Sequence, residues 1–154
     1  MGFRKAFDFK SRSQRAEFWW WVLFTFIAGI VLSFVDTALG TTLLSSGFSL
    51  ATFIPNLSVT ARRLHDTNRS GWWQVMPYAL LIVGGIVMGA SALGTSVSGA
   101  EGFGGGSVIL FLLLALGALA AAIVLIVWLA TDSDRQTNRF GPSPKYGSQA
   151  EVFA

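Results

Sequence analysis

From Phe18 to Val35 the chain runs eighteen residues without a charged side chain, close to the about 20 that a helix needs to cross the hydrocarbon core of a bilayer. Three further apolar stretches follow. Leu43 to Ala61 is diluted in its later half by Pro55, Asn56, Ser58 and Thr60. Trp72 to Leu93 is broken only lightly, by Gln74, Pro77, Tyr78 and Ser91, and Ser107 to Thr131 is almost wholly Leu, Ala, Val and Ile. This pattern predicts an all-α integral membrane protein with four transmembrane helices in a small bundle, spanning about 18–35, 43–61, 72–93 and 107–131. A basic interfacial segment, 1–17, precedes the helical domain of 18–131, and a polar tail, 132–154, follows it.

Charge decides the weakest of the four. All eleven Lys and Arg fall in 1–17, 62–69 and 135–145, and the connectors 36–42 and 94–106 hold none. If Leu43 to Ala61 crosses, the three basic segments share one side, as the positive-inside rule expects, with both termini cytoplasmic. Pro55 then sits within a kinked span, removing one backbone donor. Trp19, Trp20, Trp21, Trp72, Trp73 and Trp128 all fall at the basic ends of the spans, the depth that indoles favour as interfacial anchors. Ala38-Leu39-Gly40 has a faint look of a signal-peptidase site, but the preceding run is too long and too aromatic for a signal peptide.

Composition agrees with the pattern. Charged residues make up 12% of the chain and hydrophobic ones 53%, against about 25% charged in soluble domains. Six Trp and thirteen Phe are more than so short a chain can hide from water. The net charge of +3 flanks apolar runs, which favours anionic lipid over nucleic acid as a partner. Phe3, Phe7 and Phe9, interleaved with Arg4, Lys5 and Lys10, suggest an amphipathic lead-in at the headgroup level. The absence of Cys excludes disulfides, thiolate metal sites and thiol nucleophiles.

Candidate chemistry gathers on the basic side: Arg12, Arg15 and Glu17 before the first span, and Arg62, Arg63, His65, Asp66 and Arg69 after the second. On a continuing helix Arg62 and Arg69 each lie about one turn from Asp66, so two guanidinium groups can flank its carboxylate. Such a cluster is either a cationic pocket for a phosphate or carboxylate, or a topological stop signal. Inventory argues against an enzyme. The spans carry no Asp or Glu, Asp36 stands alone at the far boundary, and one His supplies neither a metal site nor a catalytic apparatus. No cofactor is expected. Gly85 and Gly89 in the third span, and Gly117 and Ala121 in the fourth, have the small-xxx-small spacing that lets helices approach closely within one chain, a homo-oligomer or a complex. The run Gly102-Phe103-Gly104-Gly105-Gly106 lacks the Lys-Ser or Lys-Thr of a phosphate loop and reads as an outer connector.

Arg62-Arg63-Leu64-His65-Asp66-Thr67, with Arg69-Ser70-Gly71-Trp72-Trp73, resembles the signature of a bacterial inner-membrane family of unknown function, the one typified by the YhaH and YhaI proteins. Phe9, Arg12, Arg15, Glu17, Phe18 and Trp19 are similar to that family's lead into its first helix, and Asn138 to Pro144 to its closing segment. Ser11 and Asn68 stand where the family commonly has Gly. The resemblance implies a small multispanning protein of the cytoplasmic membrane, with no established reaction. On this reading the protein is non-enzymatic and binds anionic lipid or a membrane partner through the Arg/His/Asp cluster; the alternative is a small transporter or channel component.

Overall fold

The computed structural model describes residues 3–98 and 105–146. Four long helices carry the chain: α1 (Arg15–Leu39), α2 (Leu43–Asp66), α3 (Met76–Ser98) and α4 (Gly105–Ala130), with short 3₁₀ turns at Phe3–Lys5 and Gly71–Val75. No β-strand occurs among the described residues. Three segments are long and apolar enough to cross a membrane, Arg15–Leu39, Gly71–Gly94 and Gly105–Ala130; the Ser, Thr and Asn of α2 keep it below that level.

The described parts of Met1–Gly71 and Trp128–Ala154 form one compact unit, and those of Trp72–Val127 a second. In the first, α1 and α2 make an antiparallel hairpin. Gly40, at φ +65°, reverses the chain as Thr41 N–H donates back to the Asp36 carbonyl at 2.9 Å, a left-handed helix stop that glycine takes without strain. The Asp36 side chain then reaches across the turn. Its carboxylate accepts from Leu44 N (3.1 Å), Ser45 N (2.8 Å) and Ser45 Oγ (2.6 Å), and the residue is only 3% exposed. The first residue outside α2, Thr42, offers no side-chain cap, so Asp36 serves the orphan amides from the preceding helix. Asp36→Ala is expected to cost about 2 kcal/mol of stability, read as a lowered unfolding midpoint in detergent, with Asp36→Asn losing less because one acceptor survives.

Near the start of α1, Trp21 Nε1 donates to Asn56 Oδ1 of α2 at 2.7 Å, and Trp21 is buried. This tryptophan therefore ties two helices together, whereas Trp19, Trp20, Trp72 and Trp73 are exposed. Pro55 lies inside α2 and is buried, whereas Pro77 occupies the first turn of α3, where its missing N–H has no helical partner to lose.

Several boundaries differ from the hydropathy pattern. The lead-in is not one amphipathic helix: after Phe3–Lys5 it is non-helical, folded by Asp8, whose carboxylate accepts from Lys10 N and Ser11 N at 3.1 Å. It is fixed to α2 by Ser58, whose hydroxyl lies 2.7 Å from the Asp8 carbonyl and 2.9 Å from that of Lys5. α1 begins at Arg15 and α2 runs on to Asp66, because packed protein takes the place of water around their polar ends.

Within the second unit the close approach falls one residue earlier than the small-xxx-small spacing suggests. A Cβ on Gly84 would lie 3.1 Å from Phe111, whereas Gly85 and Gly89 face open space. Gly117 keeps its packing role against Leu80, and the buried alanine of α4 is Ala118, with Ala121 only half-buried. Residues 99–104 of the outer connector, including Gly102 to Gly104, lie outside the described residues, and Gly105 and Gly106 open α4.

Candidate functional site

The last turn of α2 carries Ala61 to Asp66, all buried. Local helix geometry places Arg63 and Asp66 on one face, and Arg63 Nη1 donates to Asp66 Oδ2. The second guanidinium on this carboxylate comes from far away: Arg12 Nε donates to Asp66 Oδ1 at 3.1 Å, with Nη2 at 3.0 Å from the same oxygen. Asp66 is thus flanked by Arg12 and Arg63, not by Arg62 and Arg69. Arg62 turns to Glu17 of α1, its Nη1 3.1 Å from Oε1.

Arg12 uses its remaining donors on backbone. Nη1 donates to the carbonyls of Gln136 and Gly141 at 3.0 Å, and Nη2 to those of Asp66 (3.2 Å) and Asp134 (2.8 Å). Arg63 does the same at the end of α4, donating to Leu129 O at 3.0 Å and to Thr131 O. Two buried cations therefore share one buried anion. Their excess positive charge meets the carbonyls at the C-terminal ends of α2 and α4, where the helix dipole is negative. Such a site resists being left half-paired, since a buried charge without partners is costly.

The closing segment is folded around this core. Asp134 N donates to Asp66 O at 3.2 Å and Asn138 Nδ2 to His65 O at 2.9 Å, while Asn138 and Gly141 exchange backbone bonds in a tight bridge, Gly141 at φ +120°. Phe140 stacks flat on His65, ring centroids 3.7 Å apart. Along the chain the signal for these C-terminal partners is the resemblance at Asn138 to Pro144, since composition alone allows 132–154 to be an ordered turn or a loose tail.

The connector after α2 stops the helix as α1 is stopped. Asn68 takes φ +57°, Asn68 N donates to His65 O at 3.0 Å and Arg69 N to Leu64 O at 2.9 Å, a left-handed cap that Asn tolerates better than most residues. Gly71 then lies directly on α2: a Cβ there would stand 2.8 Å from Ala61 Cβ. Gly71→Ala is expected to destabilise by about 1–3 kcal/mol, because the backbone on both sides has to move, measurable as a lower unfolding midpoint than that of wild type. Arg69 leaves the cluster and lies over the Trp128 ring, 4.5 Å from its centroid. Arg15 also stays outside, half-exposed and 4.0 Å from Asp132.

His65 is buried, and its Nδ1 has no hydrogen-bond partner. Burial lowers its pKa below the ordinary 6.5, and the Arg139 cation pushes the same way against the Ser11 and Lys10 backbone and the Asp8 carboxylate. A folded pKa below the unfolded one means that the contribution is present above about pH 6.5 and is lost as pH falls toward the folded value. The unfolding midpoint is therefore expected to drop between about pH 7.5 and about pH 5.5, and His65→Gln to flatten that dependence.

Arg12, Arg63 and Asp66 spend their donors and acceptors inside the protein, whereas Nε and Nη2 of the buried Arg62 have no hydrogen-bond partner. Among the described residues no group of three or more His, Cys, Asp or Glu could hold a metal ion.

The family described as "Protein of unknown function (DUF805)" matches residues 6–142. The chain is 31% identical over 142 residues to inner membrane protein YhaI of Escherichia coli (strain K12), covering 91% of this chain and 88% of that one. It is similar to inner membrane protein YhaH of the same organism, 35% identical over 74 residues, 44% of this chain and 61% of the relative. It is also similar to the uncharacterized protein YiiR, 39% identical over 71 residues, 44% and 47% of the two chains. No solved structure matches. Inner-membrane relatives and three membrane-length apolar helices place the chain in the bacterial inner membrane as a multi-pass protein.

Proposed function

Given that the chain belongs to the DUF805 family of proteins of unknown function, we propose that it is a non-enzymatic inner-membrane protein that holds anionic lipid against a folded cytoplasmic cap. The observation that carries this reading is the sign of the exposed charge. Lys5, Lys10, Arg15, Arg135, Arg139 and Lys145 are exposed, whereas Asp132 is the one exposed acid among the described residues. Asp66 and Glu17 are spent on internal arginines, which leaves the exposed basic groups unopposed by either, with Arg15 one helical turn before the apolar stretch that starts at Phe18. A basic surface at that depth attracts anionic headgroups by about 1 kcal/mol per Lys or Arg.

The same reading takes α2 across the membrane. It lies antiparallel to α1, and its 24 residues extend about 36 Å, so its ends reach the levels that those of α1 reach. Four crossings with both termini cytoplasmic follow from the positive-inside rule. Reporter fusions at residues 68 and 150 are expected to give cytoplasmic signal, and fusions at 40 and 100 periplasmic signal.

Lipid retained by protein extracted in native nanodiscs tests the binding. Anionic phospholipid is expected to be enriched over the surrounding membrane, and the combined change Lys10→Ala, Arg135→Ala and Arg139→Ala to reduce retention on the order of a hundredfold. Equal retention of anionic and zwitterionic lipid would overturn the reading, and selective solute flux through the purified protein would replace it with transport.

A further inference from the structure

We propose that the amino end of α1, with Arg15, Ser133 and Lys145, forms a binding site for a phosphate group. The starting observation is a cavity of about 210 Å³ lined by Gln14, Arg15, Ala16, Asp132, Ser133 and Lys145. It opens onto the first turn of a 25-residue helix whose amide ends are uncapped: Gln14 makes no side-chain cap, and the first helical bond is closed by Phe18 N to Gln14 O. The Gln14 amide is turned elsewhere, donating to Pro144 O at 2.6 Å. The N–H groups of Arg15, Ala16 and Glu17 therefore have no acceptor within the helix, and they carry the positive end of its dipole.

A second observation points to a ligand independently. Ser133 lines the cavity, is 94% buried at 6% exposure, and its hydroxyl has no hydrogen-bond partner in the protein. Buried hydroxyls are normally satisfied, and a phosphate oxygen at the helix end is an acceptor of the right kind. Arg15 and Lys145, with side chains 51% and 44% exposed, stand at the mouth. Asp132 already holds them, Lys145 at 3.1 Å and Arg15 at 4.0 Å. Its carboxylate is the resident counter-ion, and a phosphate competes with it for both cations. The site thus gives signed predictions that a purely structural ion pair does not.

The site deepens the lipid-binding reading and rests on it only for the source of the phosphate. Phe18 and the exposed Trp19 and Trp20 follow within a turn or two, which sets the cavity at the depth of a phospholipid's phosphate. The shared chemistry is a phosphate, lipid-borne or free.

The experiment measures phosphatidylglycerol retained from mixed phosphatidylglycerol–phosphatidylcholine nanodiscs. In parallel, inorganic phosphate is titrated into delipidated protein in detergent, for wild type and four single variants. Arg15→Ala and Lys145→Ala are each expected to weaken binding about fivefold, and Asp132→Asn to tighten it. Ser133→Ala is expected to weaken binding while leaving the unfolding midpoint where it was, because the hydroxyl bonds to nothing in the protein. That pattern in the lipid arm alone assigns a headgroup, and in the phosphate arm a free anion. Variants without effect in both arms overturn the site. If the rim substitutions at Lys10, Arg135 and Arg139 still abolish lipid retention in that case, the lipid-binding reading stands without it. If wild type shows no preference for phosphatidylglycerol but the phosphate arm follows the pattern, the site stands and the lipid reading falls.

Discussion

Replacing Asp66 with Ala is expected to cost about 3–5 kcal/mol and to leave little folded protein in the membrane. Asp66 is completely buried and answers Arg12 on one oxygen and Arg63 on the other. Removing it strands two guanidinium groups where neither water nor a second carboxylate reaches them. Asp66→Asn is expected to fare little better, since an amide keeps the shape but supplies one acceptor and no charge. An apolar replacement of the whole triad, Arg12→Met with Arg63→Met and Asp66→Leu, is expected to regain part of the loss, because desolvation of the charges disappears with them. Accumulation in the membrane fraction and the unfolding midpoint in detergent read all three.

Arg12→Lys has an expected loss of about 2–4 kcal/mol despite the conserved charge. The guanidinium serves Asp66 and four carbonyls in different directions. An ammonium has three donors at one point and cannot span them. The loss is local in character: Gln136, Gly141 and Asp134 are released while α1 and α2 keep their Trp21–Asn56 and Asp36–Ser45 ties. Limited proteolysis is therefore expected to cut between residues 133 and 142 in the Lys variant and to spare wild type. Hydrogen exchange is expected to rise in the same stretch with the hairpin still protected.

The reasons for this division between core and rim were partly visible along the chain. Long uncharged runs and the grouping of Lys and Arg mark where helices lie and which ends carry charge, because hydrophobic length and charge asymmetry are local properties. Arg12, Glu17, Arg62, Arg63 and Asp66 stand out for the same reason. Their partners do not. Helical spacing pairs Asp66 with Arg62 and Arg69, yet its partner Arg12 lies 54 residues away in sequence, and no periodicity reports a contact made by folding back. The closing segment reads as a polar tail because Pro and Gly mask the fact that its carbonyls are acceptors for Arg12. Asp36 looks solitary at a boundary, although the Gly40 turn delivers it to the amides of α2. Asn68 is the instructive opposite: the chain pattern marks only a turn there, and the Asn takes a left-handed backbone at φ +57° that few residues other than Gly accept.

The division between buried and exposed charged residues matters for any test of binding. Substitutions at Arg12, Arg63 or Asp66 report on folding first, and a loss of lipid or partner binding in such variants says nothing about contact. Exposed positions such as Lys10, Arg135, Arg139 and Lys145 are where binding is separable from stability.

The mutual dependence of Arg12 and Asp66, one buried unit, joins the lead-in, the end of α2 and the closing segment. A double-mutant cycle on Arg12→Gln and Asp66→Asn, followed by reversible unfolding in mixed micelles, tests it most directly. The structure predicts a coupling of at least about 2 kcal/mol, with the double variant far more stable than the two single losses imply. Losses that add within about 0.5 kcal/mol would contradict it, and would return both side chains to a solvent-open cluster.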